Sequence, residues 1–205
     1  MKATPYSSIA RIAKLYDGFL RLTGYEKEIS YFIDQLPFTK ETSFSVLDTA
    51  CGTGLYSLAV LKKYPYARIT AFDINEKLVE RLRYKLQEGE LDNRARLFTA
   101  DILEPLQKIS DEKFDLIITA GILEHVPIEK TVISLSRFLA LGGYFLNSPA
   151  KDNFLGKFID WLYGCKPYSR KRNMEAFTNN GLVLKKLLVP KSFKELHIFQ
   201  KEREV

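Results

Sequence analysis

The sequence predicts an α/β protein built on a doubly wound, mostly parallel sheet. Three observations predict it. Short apolar runs alternate with helix-period segments from residue 44 to residue 148. One run, "FDLIITAG" at 114–121, is apolar almost throughout, as a strand covered on both faces must be. Another, "VLDTACGTG" at 46–54, ends in two glycines one residue apart, which suits a tight turn from a strand into a helix.

Residues 6–36 carry Ile9, Ile12, Ala13, Tyr16, Phe19 and Leu20, then Ile29, Phe32, Ile33 and Leu36, at three- and four-residue spacing. This predicts an N-terminal helical cap broken near Gly24 and ended by Pro37. "FSVLDTA" is the first strand and "GLYSLAVLKKY" the first core helix, closed by Pro65. "RITAFDI" is the second strand. "NEKLVERLRYKLQEG" is an amphipathic helix with Gly89 as its expected C-cap. "ARLFTADI" and "FDLIITAG" follow as strands three and four. "EKTVISLSRFLAL" is expected to be a helix stopped by Gly142-Gly143, and "GYFLNSP" a fifth strand. Beyond Pro149 come an aromatic helical stretch, a basic loop "GCKPYSRKR" and a short helix "NMEAFTNNG". Two last strands, "LVLKKLLV" and "KELHIFQKE", form an antiparallel hairpin. The expected total is seven strands.

Of the 205 residues, 46% are hydrophobic and 27% charged, an ordinary globular balance that argues against disorder. No apolar run reaches the roughly 18 residues of a membrane span, and no signal peptide is read at the start. Cys51 and Cys165 lie far apart, and Cys51 sits in the glycine turn. Neither a disulfide nor a metal site is expected, and a cytoplasmic location follows. The net charge of +6 is uneven: residues 1–150 hold 19 basic and 19 acidic residues, and 151–205 hold 12 and 6. That surplus suits either a solvated face or a surface for phosphate, acidic substrate or anionic lipid.

Ligands of such sheets bind at the carboxyl ends of the strands. The first end offers Gly52 and Gly54, but Ser57 stands where the dinucleotide pattern G-x-G-x-x-G needs a third glycine. Asp48 would repel a pyrophosphate and attract a cation. The second end has Asp73, 21 residues after Gly52, placed to accept from a ribose diol, with Ile74 beside it and Asn75 able to cap the next helix. The third has Asp101 and Ile102. The fourth has Ala120 and Gly121, followed by Glu124 and His125.

"VLDTACGTG", "ITAFDIN", "LFTADILE" and "FDLIITAGILEHV", in that order, resemble the successive motifs of class I S-adenosylmethionine-dependent methyltransferases. The family usually has glycine where Ala50 stands; alanine is small enough for close approach. The opening "SIARIAKLYDGF" is loosely similar to the ubiquinone/menaquinone-biosynthesis type, with Tyr16 at the position that folds over the cofactor. The resemblance implies a Rossmann-like fold whose last strand is reversed, and S-adenosylmethionine as cofactor. It further implies that Asp48, Ala50, Cys51, Gly52 and Gly54 line the methionine portion and Asp73 holds the ribose. Ile74, Asp101 and Ile102 would meet the adenine, and Ala120 would offer a carbonyl. The implied layout is one domain over 1–205: a cap at 1–40, a cofactor-binding core at 44–148, a substrate lid at 150–180 and the hairpin at 182–202.

The cofactor brings its own activated methyl, so the protein's task is to hold an acceptor in line. Glu124 or His125 would serve as a base only where the acceptor loses a proton; a structural role is the favoured reading of both, and no catalytic residue is assigned. The apolar face of Phe154, Leu155, Phe158, Ile159 and Leu162, edged by Trp161 and Tyr163, favours a lid over a small apolar or lipid-like acceptor. With Lys166, Arg170, Lys171 and Arg172, the stretch 154–172 also suits contact with an anionic membrane. An RNA or protein acceptor is the alternative that the basic C-terminal region suggests. No RNA-binding module accompanies it, and nucleic acid is disfavoured.

Overall fold

The computed structural model describes residues 25–104, 109, 112–151, 168–190 and 194–203. Tyr16, most of the expected cap and the lid segment 152–167 lie outside the described residues. The chain divides into two compact units, Met1–Asp101 and Ile102–Val205. Seven strands form the mixed, mostly parallel sheet that the alternation predicts.

In the first unit, α1 (Tyr25–Ile33) precedes β1 (Ser45–Thr49), α2 (Leu55–Lys63), β2 (Arg68–Asp73), α3 (Glu76–Glu88) and β3 (Ala95–Thr99). The strands run parallel in the order β3-β2-β1, with Val46 opposite Ile69 and Phe72 opposite Phe98. Residues 46–49 are buried, so β1 is covered on both faces. Along α3, Leu78, Val79, Leu82 and Leu86 form the buried stripe that a 3.6-residue period dictates. Phe38 stacks on Phe44 at 3.9 Å between centroids, and both meet Tyr64 edge-on. The last carbonyls of a helix lack partners within it. At the end of α2, Arg94 donates to the carbonyls of Leu61 and Tyr64, both at 2.8 Å.

One expectation in this unit is corrected. Strand three ends at Thr99, so Asp101 and Ile102 lie beyond it. Gly89 is the C-cap of α3, as expected, with its N–H donated to the carbonyls of Lys85 and Gln87; the left-handed residue is the next one, Glu90, with φ 54.

In the second unit, β4 (Phe114–Ala120), α4 (Ile128–Ser136), β5 (Leu139–Ser148), α5 (Arg170–Thr178), β6 (Leu182–Leu188) and β7 (Leu196–Lys201) follow one another. The order is β4-β5-β7-β6, with β4 and β5 parallel and β7 antiparallel to both its neighbours. The reversed last strand is therefore present. Phe177 of α5 stacks on Phe199 at 4.3 Å and meets Phe145 edge-on, which ties the helix to the sheet. Lys201 reaches from β7 to the carbonyls of Ser136 and Leu139, the exit of α4.

The expected helix over 129–141 ends early, at Ser136. Leu139 instead opens β5 and pairs with Phe114, so the glycine pair lies inside a strand, at a register shift. The "basic loop" is also shorter than expected, because α5 already begins at Arg170.

Candidate functional site

The turn after β1 is built by two buried carboxylates. Asp48, at 3% exposure, accepts from Ser57 Oγ at 2.5 Å. Burial pushes its pKa from 3.8 to about 7, against the lowering effect of the Ser57 bonds. Asp73 is also raised by burial, although backbone N–H groups of Asn75, Gly52 and Ile74 hold it down. One of its oxygens accepts from Gly52 N and the other from Asn75 N, both at 2.9 Å. Asn75 caps α3 by accepting from Lys77 N, so the cap and the acid are separate residues. With three backbone donors against about four acceptor sites, the Asp73 carboxylate keeps room for a further donor.

Between these acids the backbone takes left-handed values at Ala50 (φ 51), Gly52 (φ 56) and Gly54 (φ 81). The two glycines do different work. A Cβ on Gly54 would sit 2.1 Å from Leu82 Cδ1, so this glycine lets α3 pack against the turn. A Cβ on Gly52 would meet nothing within 4 Å, so the turn is open there. Ala50 carries the strain that the family's usual glycine avoids. Cys51 N donates to Phe72 O at 2.9 Å, which ties the turn to β2. Burial raises the Cys51 thiol well above its usual range, and the charges of Asp48 and Asp73 add to this, so it is a poor nucleophile. Ile74 is 60% exposed, an apolar face available to a ring. Asp101 follows β3, which is held beside β2 by the Ala100 N–Asp73 O bond.

Within the first unit, Asp48, Ala50, Cys51, Gly52, Gly54, Asp73, Ile74 and Asp101 thus all belong to the carboxyl ends of β1, β2 and β3. Of the other expected residues, Ile102 is buried in the second unit, Ala120 ends β4 and is half-buried, and Tyr16 lies outside the described residues. Ser57 was absent from the expected set. Its position, where a dinucleotide site would have glycine, was the available signal. An open turn flanked by two acids fits a cationic nucleoside and leaves no place for a pyrophosphate.

At the end of β4, Gly121 (φ 70) donates to Ser148 O at 3.1 Å. Glu124 is buried and accepts from Ala150 N at 2.7 Å through Oε1. His125 belongs to a short 3-10 turn, Leu123–His125. After β5, a cavity of about 500 Å³ is lined by Ala150, Lys151, Tyr168, Arg170, Asn173 and Glu195, among others. Arg170 grips Glu195 with two bonds, at 2.8 and 2.5 Å, and His197 Nε2 lies 3.0 Å from the same carboxylate. Burial pushes Glu195 up, but bonds from His197 and Arg170 outweigh it and hold the carboxyl at about 2. These residues pair across 25 positions of sequence, and no local pattern announced them.

An open turn set between acids on the strands of a doubly wound sheet defines a nucleoside-binding α/β core. Residues 46–143 match the family described as methyltransferase domain, which supports a class I S-adenosylmethionine-dependent methyltransferase. It is similar to a malonyl-[acyl-carrier protein] O-methyltransferase of Ilyobacter polytropus: 28% identical over 145 residues, covering 69% of this chain and 52% of that one. The chain spans about half the length, or less, of the first curated relatives it matches. Among solved structures, an O-methyltransferase family protein from Burkholderia thailandensis has a TM-score of 0.79 at 15% identity, covering 98% of this chain and 64% of that one. A geranyl diphosphate C-methyltransferase from Streptomyces coelicolor, solved with S-adenosyl-L-homocysteine, has a TM-score of 0.70 at 14% identity, covering 85% and 75%. The family's cofactor is S-adenosylmethionine.

Proposed function

We propose that the chain transfers a methyl group from S-adenosylmethionine to a small-molecule acceptor that is apolar or lipid-like over much of its surface. The observation that carries this reading is the pair of buried acids, Asp48 and Asp73, around the open Gly52 turn. When bound, the cofactor supplies a methyl on a sulfonium. The residues of the chain bind and orient. Asp73 accepts from the ribose hydroxyls while it keeps Gly52 N in place. Asp48, fixed by Ser57, faces the methionyl ammonium, and Ile74 covers the adenine. Ala120 offers its carbonyl. The apolar acceptor rests on the sequence of the 154–163 lid.

The RNA or protein reading drew on the basic cluster, and the ion pairs weaken it. Arg170 is paired with Glu195, Arg172 with Glu129 at 2.9 Å, and Lys171 with Glu175 at 3.8 Å. Charge neutralised in this way is less available to phosphates or to an anionic membrane. No helix among the described residues is long and apolar enough to cross a membrane. A cytoplasmic location remains part of the proposal, in keeping with the free thiol of Cys51.

The test incubates the protein, a cell extract and methyl-labelled S-adenosylmethionine, then separates macromolecules from small molecules. Label in the small-molecule fraction is the expected result. Label confined to RNA or protein, or no transfer, would overturn the proposal.

A further inference from the structure

The cavity after β5 contains an unspent cation. Lys151 directly follows the strand's exit through Pro149 and Ala150, and it is 8% exposed. No hydrogen-bond or ion-pair partner for its ammonium is seen among the described residues. The side chain lines the cavity, so an anion held there would lie within reach of its charge and pair with it.

The other polar groups of the wall are already engaged. Glu195 is the acid of the wall, and its charge is taken up by Arg170 and His197. Tyr168 donates its hydroxyl to Val126 O at 3.1 Å and lies under the Arg172 guanidinium at 4.5 Å. Asn173 bonds Asn147 through Oδ1 at 3.4 Å and the Tyr168 carbonyl through Nδ2 at 3.3 Å. The wall thus carries two cations against one anion, and one of the cations is unneutralised.

A second feature points the same way. The N-terminus of α5 enters this wall through Arg170 and Asn173, and its first turn contains no acidic residue. Ser169 accepts from Arg172 N at 3.3 Å, which leaves the earlier N–H groups without a partner inside the helix. Their partial positive charge favours an anion. Pro149, Ala150 and the half-exposed Val189 add apolar wall beside the charge.

We propose that this cavity binds the anionic headgroup, a carboxylate or a phosphate monoester, of an otherwise apolar acceptor, with Lys151 as its charge partner. The inference rests on the methyl-transfer reading and narrows its acceptor to an acidic amphiphile.

The test titrates the full chain by calorimetry with octanoate, octyl phosphate and octanol. The expected result is a preference of about tenfold or more for one or both anions over octanol. Which anion is preferred tells carboxylate from phosphate. Lys151→Gln should abolish the preference and Lys151→Arg should keep most of it. Equal binding of octanol and both anions, binding of none of them, or a preference that survives Lys151→Gln would overturn the proposal. Should Lys151→Gln fail to fold, the wild-type preference and the Lys151→Arg result decide. A parallel titration with S-adenosylhomocysteine keeps the two readings apart: its failure removes the methyltransferase proposal, whereas loss of the anion preference alone removes the headgroup.

Discussion

Substituting each of the two turn glycines by alanine separates binding from folding. Gly52 and Gly54 both have left-handed backbone, so alanine costs roughly 1 kcal/mol at either position. There the similarity ends. At Gly54 the new methyl lies 2.1 Å from Cδ1 of Leu82, a fully buried side chain with nowhere to move. Overpacking of that kind adds about 1–3 kcal/mol, so Gly54→Ala should lose roughly 2–4 kcal/mol in all. At Gly52 the methyl enters open space next to the Asp73 carboxylate that its N–H holds. Gly52→Ala should therefore lower Tm by only about 2–4 °C. If the open space receives the cofactor, the same methyl costs affinity, about tenfold or more for S-adenosylhomocysteine. Thermal unfolding and calorimetric titration of both variants measure the two effects. A Gly52→Ala protein that binds like wild type, or a Gly54→Ala protein as stable as Gly52→Ala, would refute the reasoning.

Four further outcomes are expected. Because Asp48 has a folded-state pKa of about 7 against 3.8 when unperturbed, its charge disfavours the folded state as pH rises through that window. The cost is absent below about pH 4 and reaches roughly 4 kcal/mol above pH 7, so Asp48→Asn should stabilise the free protein at pH 8 and not at pH 4 in urea unfolding. A cation bound beside Asp48 lowers its pKa, so S-adenosylmethionine should bind more tightly as pH rises through 7, with proton release read from a binding heat that varies with the buffer's ionisation enthalpy and lost in Asp48→Asn. Asp73→Ala removes the acceptor of Gly52 N and Asn75 N together with the ribose contact, and should weaken S-adenosylhomocysteine by about a hundredfold in calorimetry. Ala50→Gly relieves left-handed strain at some cost in unfolded-state entropy, and should raise stability by about 0.5 kcal/mol in thermal unfolding.

Much of the fold was legible because strands covered on both faces are largely apolar, as Val46-Leu47 and Leu116–Ile118 are. The error at 129–141 has a physical source. Leu139 and Leu141 continue the helical period of α4 while also serving as strand residues, and only the pairing of Leu139 with Phe114 decides between the two. The extra length of α5 was hidden for a related reason: three basic residues at a helix N-terminus oppose the dipole, but Arg170 and Arg172 are bound by Glu195 and Glu129 from elsewhere in the unit. At the turn, the residue types were readable and their division of labour was not. Gly52 and Gly54 look alike in sequence, and only the position of Leu82 distinguishes them. Ser57 could be read as a missing glycine, but its hydroxyl bond to Asp48 required the turn to be folded.

The account stands on the turn after β1 being a site for a cationic nucleoside. Calorimetric titration of the chain with S-adenosylmethionine tests that most directly. The prediction is saturable binding at one site per chain, in the micromolar range, lost in Asp73→Ala. The absence of any binding heat at millimolar cofactor, in two buffers of different ionisation enthalpy, would contradict it.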